Sequence, residues 1–176
     1  MAEMRYGEIP GLALPVSRIF LGTAAGALLA GKNADELLDG AVERGVNAFD
    51  CARSYGRAEE VLGDWVKRRN NRDRVIILSK CGDIRNGIVK INSQIINSQL
   101  ETSLKMLQAD YIDLYLIHRD DPNTSVSEYI DTLNKAKQDG KIRLFGASNW
   151  TAERIREANR YAKESNQEGF SVSSPK

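Results

Sequence analysis

Short β-branched or aromatic runs alternate with longer amphipathic stretches along the whole chain, and the alternation repeats roughly every 30 residues, the length of one βαβ unit. The strand-like runs are Ser17–Gly22 (SRIFLG), Val46–Asp50, Arg74–Lys80 (RVIILSK), Tyr111–His118 (YIDLYLIH), Ile142–Ala147 (IRLFGA) and Gly169–Ser173. Between them, Asn33–Gly45, Ala58–Arg69, Lys90–Gln108, a stretch opened by Ser125, and Thr151–Glu164 carry apolar residues at helical spacing, as with Val61, Leu62, Trp65 and Val66. Asn33 with Glu36 reads as an N-cap pair and Ser125 with Glu128 as a capping box, while Gly45 and Gly140 close their helices.

Regular βα repeats imply a parallel sheet covered by helices. An open doubly-wound sheet should carry GxGxxG in its first turn, and GTAAG at Gly22–Gly26 does not match that fingerprint. The alternative is a (β/α)8 barrel, which gathers its chemistry at the C-terminal ends of several strands. A complete barrel needs about 250 residues. This chain has 176. The expected fold is therefore a TIM-barrel type, truncated after about five and a half βα units, as a single partial domain over residues 1–176. Such an arc would leave an unpaired strand edge. A truncated gene product, a chain completed by another chain, and a stable partial barrel all remain open.

Composition narrows the function classes. Lys and Arg number 25 against 24 Asp and Glu, so no bulk positive charge is present to neutralise a phosphate backbone, and a nucleic-acid partner is not expected. Two cysteines, Cys51 and Cys81, make no disulfide scaffold in a chain this long, and without a CxxC they suggest neither a redox pair nor a zinc knuckle; a reducing, cytoplasmic setting fits. The uncharged stretch Ile19–Gly31 is too short to span a bilayer and lacks a compact basic flank, so neither a membrane nor a signal peptide is expected.

Four polar residues cluster at strand ends in this reading. Asp50, Lys80 and His118 each terminate an apolar run, and Tyr55 follows Asp50 in the next loop. Taken singly, each has a structural explanation: an ion pair for Asp50 and Lys80, a hydrogen-bonded core position for His118, a turn aromatic for Tyr55. Together they suit carbonyl reduction. Hydride addition develops alkoxide charge, which needs a proton donor and nearby stabilisation. A tyrosine hydroxyl is a weak acid near neutrality unless an ammonium stabilises the tyrosinate. Lys80 can supply that charge, Asp50 can hold Lys80, and His118 can orient the substrate oxygen. The hydride must come from a cofactor.

The segments FDCARSYGRAEEVLG (Phe49–Gly63), LSK (Leu78–Lys80), DYIDLYLIHRDDP (Asp110–Pro122) and GKIRLFGASNW (Gly140–Trp150) occur in an order and spacing that resembles the aldo-keto reductases. These are NAD(P)H-dependent (β/α)8 barrels. The resemblance covers nearly the whole chain and implies that Asp50, Tyr55, Lys80 and His118 are the catalytic four, with Tyr55 as general acid. It further implies that Ser148 and Asn149 bind the nicotinamide carboxamide, that Gly22 and Thr23, with Asp50, lie beside the cofactor, and that residues 1–16 form a hairpin closing the barrel's lower end. The implied cofactor is NADP(H) ahead of NAD(H), and the implied partner is a small-molecule carbonyl compound; oligomeric state is open. Ser148 and Asn149 could instead cap the following helix. Cys51 and Cys81, each directly after a catalytic candidate, read either as buried packing or as partly exposed thiols near the cofactor. The competing functions are a non-catalytic nucleotide-sensing or regulatory subunit of the same fold and, more remotely, a metal hydrolase using Asp50, Cys81 and His118.

Overall fold

The computed structural model describes residues 3–83 and 90–175. The chain opens with an antiparallel pair, β1 (Tyr6–Gly7) and β2 (Val16–Ser17). This pair joins Tyr6 to Ser17 and Gly7 to Val16; of the expected 1–16 hairpin segment, residues 1 and 2 lie outside the described residues. Six parallel strands follow in chain order: β3 (Phe20–Gly22), β4 (Ala48–Asp50), β5 (Ile76–Cys81), β6 (Ile112–Ile117), β7 (Ile142–Ser148) and β8 (Val172–Ser174). They are connected through α1 (Gly26–Leu29), α2 (Asp35–Glu43), α3 (Ala58–Arg69), α4 (Ser93–Leu107), α5 (Val126–Gln138) and α6 (Ala152–Glu164). The result is a curled half-barrel, with six of the parallel strands expected of a (β/α)8 barrel among the described residues.

Period-two alternation along the strands divides the apolar residues between two cores. On the helix side, Phe49, Ile77, Tyr115 and Phe145 pack with Leu62, Trp65, Leu100 and Tyr129. On the opposite side, Ala48, Ile76, Leu78, Leu114, Leu116 and Leu144 form a second cluster, against which Ile9, Leu12 and Leu14 of the N-terminal segment pack. The segment between β1 and β2 thus shields the inner surface of the sheet. Gly11 permits its close approach: φ is +97° there, and a Cβ would lie 2.9 Å from Cδ2 of Leu144.

Several expected boundaries move, each for a local reason. Ser17–Gly22 is not one strand. The Ser17 hydroxyl donates to the Ile19 carbonyl (2.7 Å), and the Ser17 N–H donates to Oδ1 of Asn47 (2.8 Å), so side-chain bonds turn the chain between β2 and β3. Asn33 is not the N-cap of α2. Its Oδ1 accepts the Asp35 N–H (2.9 Å) from outside the helix, and Ala34 holds the cap position. The helix expected from Lys90 starts at Ser93, capped by Asn92. Ser125 caps α5, but Glu128 does not complete the box; its Oε1 accepts the N–H of Ser93 (2.8 Å), tying the starts of α4 and α5 together. Thr151 caps α6, so that task does not fall to Ser148 or Asn149.

Trp65 is the largest fully buried side chain and couples α3 to both neighbours. Its ring centroid lies 5.5 Å from that of Phe49, and its Nε1–H donates to Oδ1 of Asp39 (2.8 Å). Asp39 also accepts from Arg69, and these two hydrogen bonds, that of Arg69 foremost, hold its carboxyl down at about 2. Trp65→Ala removes the ring and leaves a void between β4 and α3. It is expected to cost about 3–5 kcal/mol, measured as a lowered denaturant midpoint.

Candidate active site

The C-terminal ends of consecutive strands bring the candidate residues together. Asp50 ends β4, paired in register with Gly22 of β3 and Leu78 of β5, and Lys80 pairs with Leu116 of β6. Lys80 follows Ile76 and Leu78 on the same face by period two and is only 2% exposed, so its ammonium must be met by acceptors. It has three. Nζ is ion-paired with Asp50 Oδ1, donates to the Cys51 carbonyl (3.0 Å), and donates to the Tyr55 hydroxyl oxygen (3.3 Å). All three ammonium protons are thereby used. The Tyr55 oxygen accepts from Lys80, so its own proton is available to a further acceptor.

Tyr55 is held by the loop between β4 and α3. The Cys51 N–H donates to Leu78 O (2.7 Å) and the Arg53 N–H to Lys80 O (2.9 Å), which extends the β4–β5 ladder past the strand end. Tyr55 then donates to Ala52 O (3.0 Å) and accepts from the Ala58 N–H (3.0 Å) at the start of α3. Behind this loop, Glu59 is 1% exposed, ion-paired with Arg53 and accepting from the Ser79 hydroxyl (2.6 Å). Glu59 therefore braces the loop of Tyr55 against the strand of Lys80. Its burial left a trace in the sequence, because it shares a helical face with Leu62 and Val66.

His118 directly follows β6 and is 4% exposed. Its N–H donates to Cys81 O (2.7 Å), and its ring meets that of Tyr55 edge-on with centroids 5.7 Å apart. Nδ1 faces Ser54 Oγ at 3.3 Å and Asp83 Oδ2 at 3.9 Å. Ser54 and Asp83 escaped sequence reasoning, since neither ends an apolar run.

Ser148 ends β7 and Asn149 follows in the left-handed region, with φ of +59°. The Asn149 amide nitrogen donates to His118 O (3.2 Å) and to Ser148 Oγ (2.9 Å), and the Ser148 hydroxyl donates to Ser174 O (3.1 Å). The pair thus joins the end of β6 to the end of β8. Thr23 is fully buried, its hydroxyl donating to Asp50 O (2.9 Å) and lying 3.3 Å from Cys51 Sγ, while a Cβ on Gly22 would meet nothing within 4 Å.

The reading of Cys51 and Cys81 as partly exposed thiols is overturned. Both are buried on the helix side of the sheet, and burial pushes both thiols up to about 12. Period two explains the outcome: residues next to inward-facing Asp50 and Lys80 face outward, into the helix layer. Among the described residues, no group of three or more His, Cys, Asp or Glu is placed to hold a metal ion, and no helix is long and apolar enough to cross a membrane. An open groove of about 520 Å³, bordered by Tyr6, Asp39, Glu43, Asn71 and Arg74, lies at the opposite, N-terminal end of the strands and shares no residue with the cluster.

Residues 18–173 match the Aldo/keto reductase family profile. The chain is 35% identical to Aldo-keto reductase YhdN of Bacillus subtilis (strain 168) over 162 residues, covering 86% of this chain and 49% of that protein. It is 37% identical to an Aldo-keto reductase of Gibberella moniliformis over 165 residues, 92% of this chain and 50% of that protein. Protein tas of Escherichia coli (strain K12) is 33% identical over 183 aligned positions, 85% of this chain and 53% of that protein. The chain therefore spans about half the length of the curated relatives it matches. Matched over nearly its full extent, it belongs to the aldo/keto reductase family.

Proposed function

We propose that the protein is an oxidoreductase that reduces an aldehyde or ketone with NAD(P)H, using Tyr55 as the proton donor. The observation that carries this reading is the contact between the Tyr55 hydroxyl and the Lys80 ammonium at 3.3 Å, with Lys80 fixed by Asp50 and the buried His118 ring edge-on to the phenol. When bound, the reduced nicotinamide supplies a hydride to the carbonyl carbon. The carbonyl π pair then moves onto oxygen, and the chain's own residues act on that oxygen. Tyr55 donates its proton there, giving the alcohol. Lys80 stabilises the tyrosinate that remains until solvent returns a proton. Asp50 keeps the ammonium charged and in place, and His118 orients the oxygen from the other side.

The residues at the end of β7 suit a carboxamide. Asn149 carries both a donor and an acceptor, and Ser148 a hydroxyl that can turn from Ser174 toward a ligand. Beside β3, the open space at Gly22 leaves room for close approach to the backbone. Thr23 contributes by holding the end of β4 rather than through a free hydroxyl. NADP(H) is the expected cofactor ahead of NAD(H), and a small-molecule carbonyl compound the expected substrate.

Nucleotide binding, followed by quenching of tryptophan fluorescence, and consumption of the reduced nicotinamide with small aldehydes together test the reading. NADPH should bind more tightly than NADH and be consumed only when a carbonyl compound is present. Asn149→Ala should weaken nucleotide binding by roughly tenfold, the worth of about one hydrogen bond. Binding without carbonyl-dependent consumption would support a nucleotide-sensing subunit instead.

A further inference from the structure

The strand that presents Lys80 inward presents Ser79 the other way. Period two sets Ser79 on the helix face of β5 with Ile77 and Cys81, while Leu78 and Lys80 face inward. Ser79 is fully buried, and its hydroxyl donates to Oε1 of Glu59 (2.6 Å). The other carboxylate oxygen, Oε2, is ion-paired with Arg53. The Arg53 N–H in turn donates to Lys80 O (2.9 Å). Arg53 lies two residues before Tyr55, and Glu59, in the first turn of α3, four residues after it. One buried carboxylate thus ties both flanks of the Tyr55 loop to the residue beside Lys80, from the helix side of the sheet.

We propose that Glu59 is a positioning residue that sets the contact between the Tyr55 hydroxyl and the Lys80 ammonium, acting through Arg53 and Ser79 without touching substrate or cofactor. This rests on the proton-donor role given to Tyr55 above. Taking a carboxylate out of water costs free energy that an ion pair and a hydrogen bond only about offset, so an apolar side chain here would hold α3 to the sheet at least as well. An apolar side chain has no direction, however. The carboxylate has two oxygens, and each fixes a different segment of chain. The Tyr55–Lys80 contact, at 3.3 Å, stands at the long end for a hydrogen bond, so further separation loses it. The backbone bonds of Tyr55 itself, to Ala52 O and from the Ala58 N–H, move with the loop and do not fix it against β5.

Glu59→Gln keeps an acceptor for Ser79 and removes the charge that holds Arg53, whose side chain is 28% exposed and can turn to water. Exchange of the Arg53 and Tyr55 amide hydrogens should speed up by roughly 10–100-fold relative to amides of β6 and β7, the worth of one hydrogen bond to a charged group. The kcat for carbonyl reduction should fall by about 10–100-fold, with nucleotide affinity and the KM for the carbonyl compound nearly unchanged. In a Tyr55→Phe background the same substitution should leave the residual turnover unchanged, because the group it positions is gone. Should Glu59→Gln not fold, Arg53→Met with Glu59→Gln leaves no unpaired charge and carries the same measurements. Loop exchange that does not move, a kcat that does not fall, or an equal loss in the Tyr55→Phe background would each overturn the proposal. The exchange measurement requires no turnover: faster loop exchange in a chain that reduces no carbonyl compound keeps the clamp and removes the reductase reading, whereas turnover unaltered by Glu59→Gln does the reverse.

Discussion

Tyr55→Phe is expected to lower carbonyl reduction by roughly 10²–10⁴-fold, the contribution of a positioned general acid, while leaving the fold and nucleotide binding nearly unchanged. Few structural features depend on the hydroxyl. The phenol oxygen accepts one hydrogen bond, from Lys80, and Lys80 keeps Asp50 and the Cys51 carbonyl when that bond is removed. The ring, packed against the helix-side core and edge-on to His118, is retained in phenylalanine. A selective loss of turnover with unaltered binding therefore isolates the proton. Measuring turnover and nucleotide affinity on the same preparation separates this outcome from misfolding.

Lys80→Met should cost both activity and stability. The substitution leaves the Asp50 carboxylate without its ammonium and two further acceptors without a donor. Breaking a buried pair typically costs about 3–5 kcal/mol. The Asp50 side chain retains 26% exposure, so water can meet part of the orphaned charge, and the expected loss is about 3 kcal/mol, at the low end of that range. Thermal unfolding should shift down by on the order of 10 °C. Adding Asp50→Asn removes the unpaired charge and should restore much of the stability, because a buried ion pair contributes little net stabilisation over a neutral replacement. Turnover should stay absent in the double variant. Recovery of both together would mean that the pair serves only the fold.

The candidate cluster was legible because its signals are local: Asp50, Lys80 and His118 each end an apolar run, and Tyr55 follows Asp50 in the next loop. Lys80 ends RVIILSK and His118 ends YIDLYLIH, and a barrel brings such ends to one rim. The βα alternation was legible for the same reason: helical and strand periods are properties of contiguous residues. Features made by residues distant in sequence were not. The break after Ser17 depends on Asn47, which is 30 residues away, and Glu128 serves Ser93 in the neighbouring helix rather than its own cap. Glu59 sat on an apolar face, yet its partners Arg53 and Ser79 come from a loop and a strand outside its helix. Asp83 carried no pattern at all; only the placement of β5 beside β6 sets it against His118.

In the proposed reaction this cluster protonates a carbonyl oxygen as a hydride reaches the adjacent carbon. The most direct measurement supplies reduced nicotinamide deuterated at its transferable position and reads the product alcohol by mass spectrometry. One deuterium is expected on the carbinol carbon with the unmodified chain and almost none with Tyr55→Phe at equal nucleotide occupancy. Equal deuterium transfer by the two proteins, or a folded, nucleotide-bound chain that transfers none to any carbonyl compound, would contradict it.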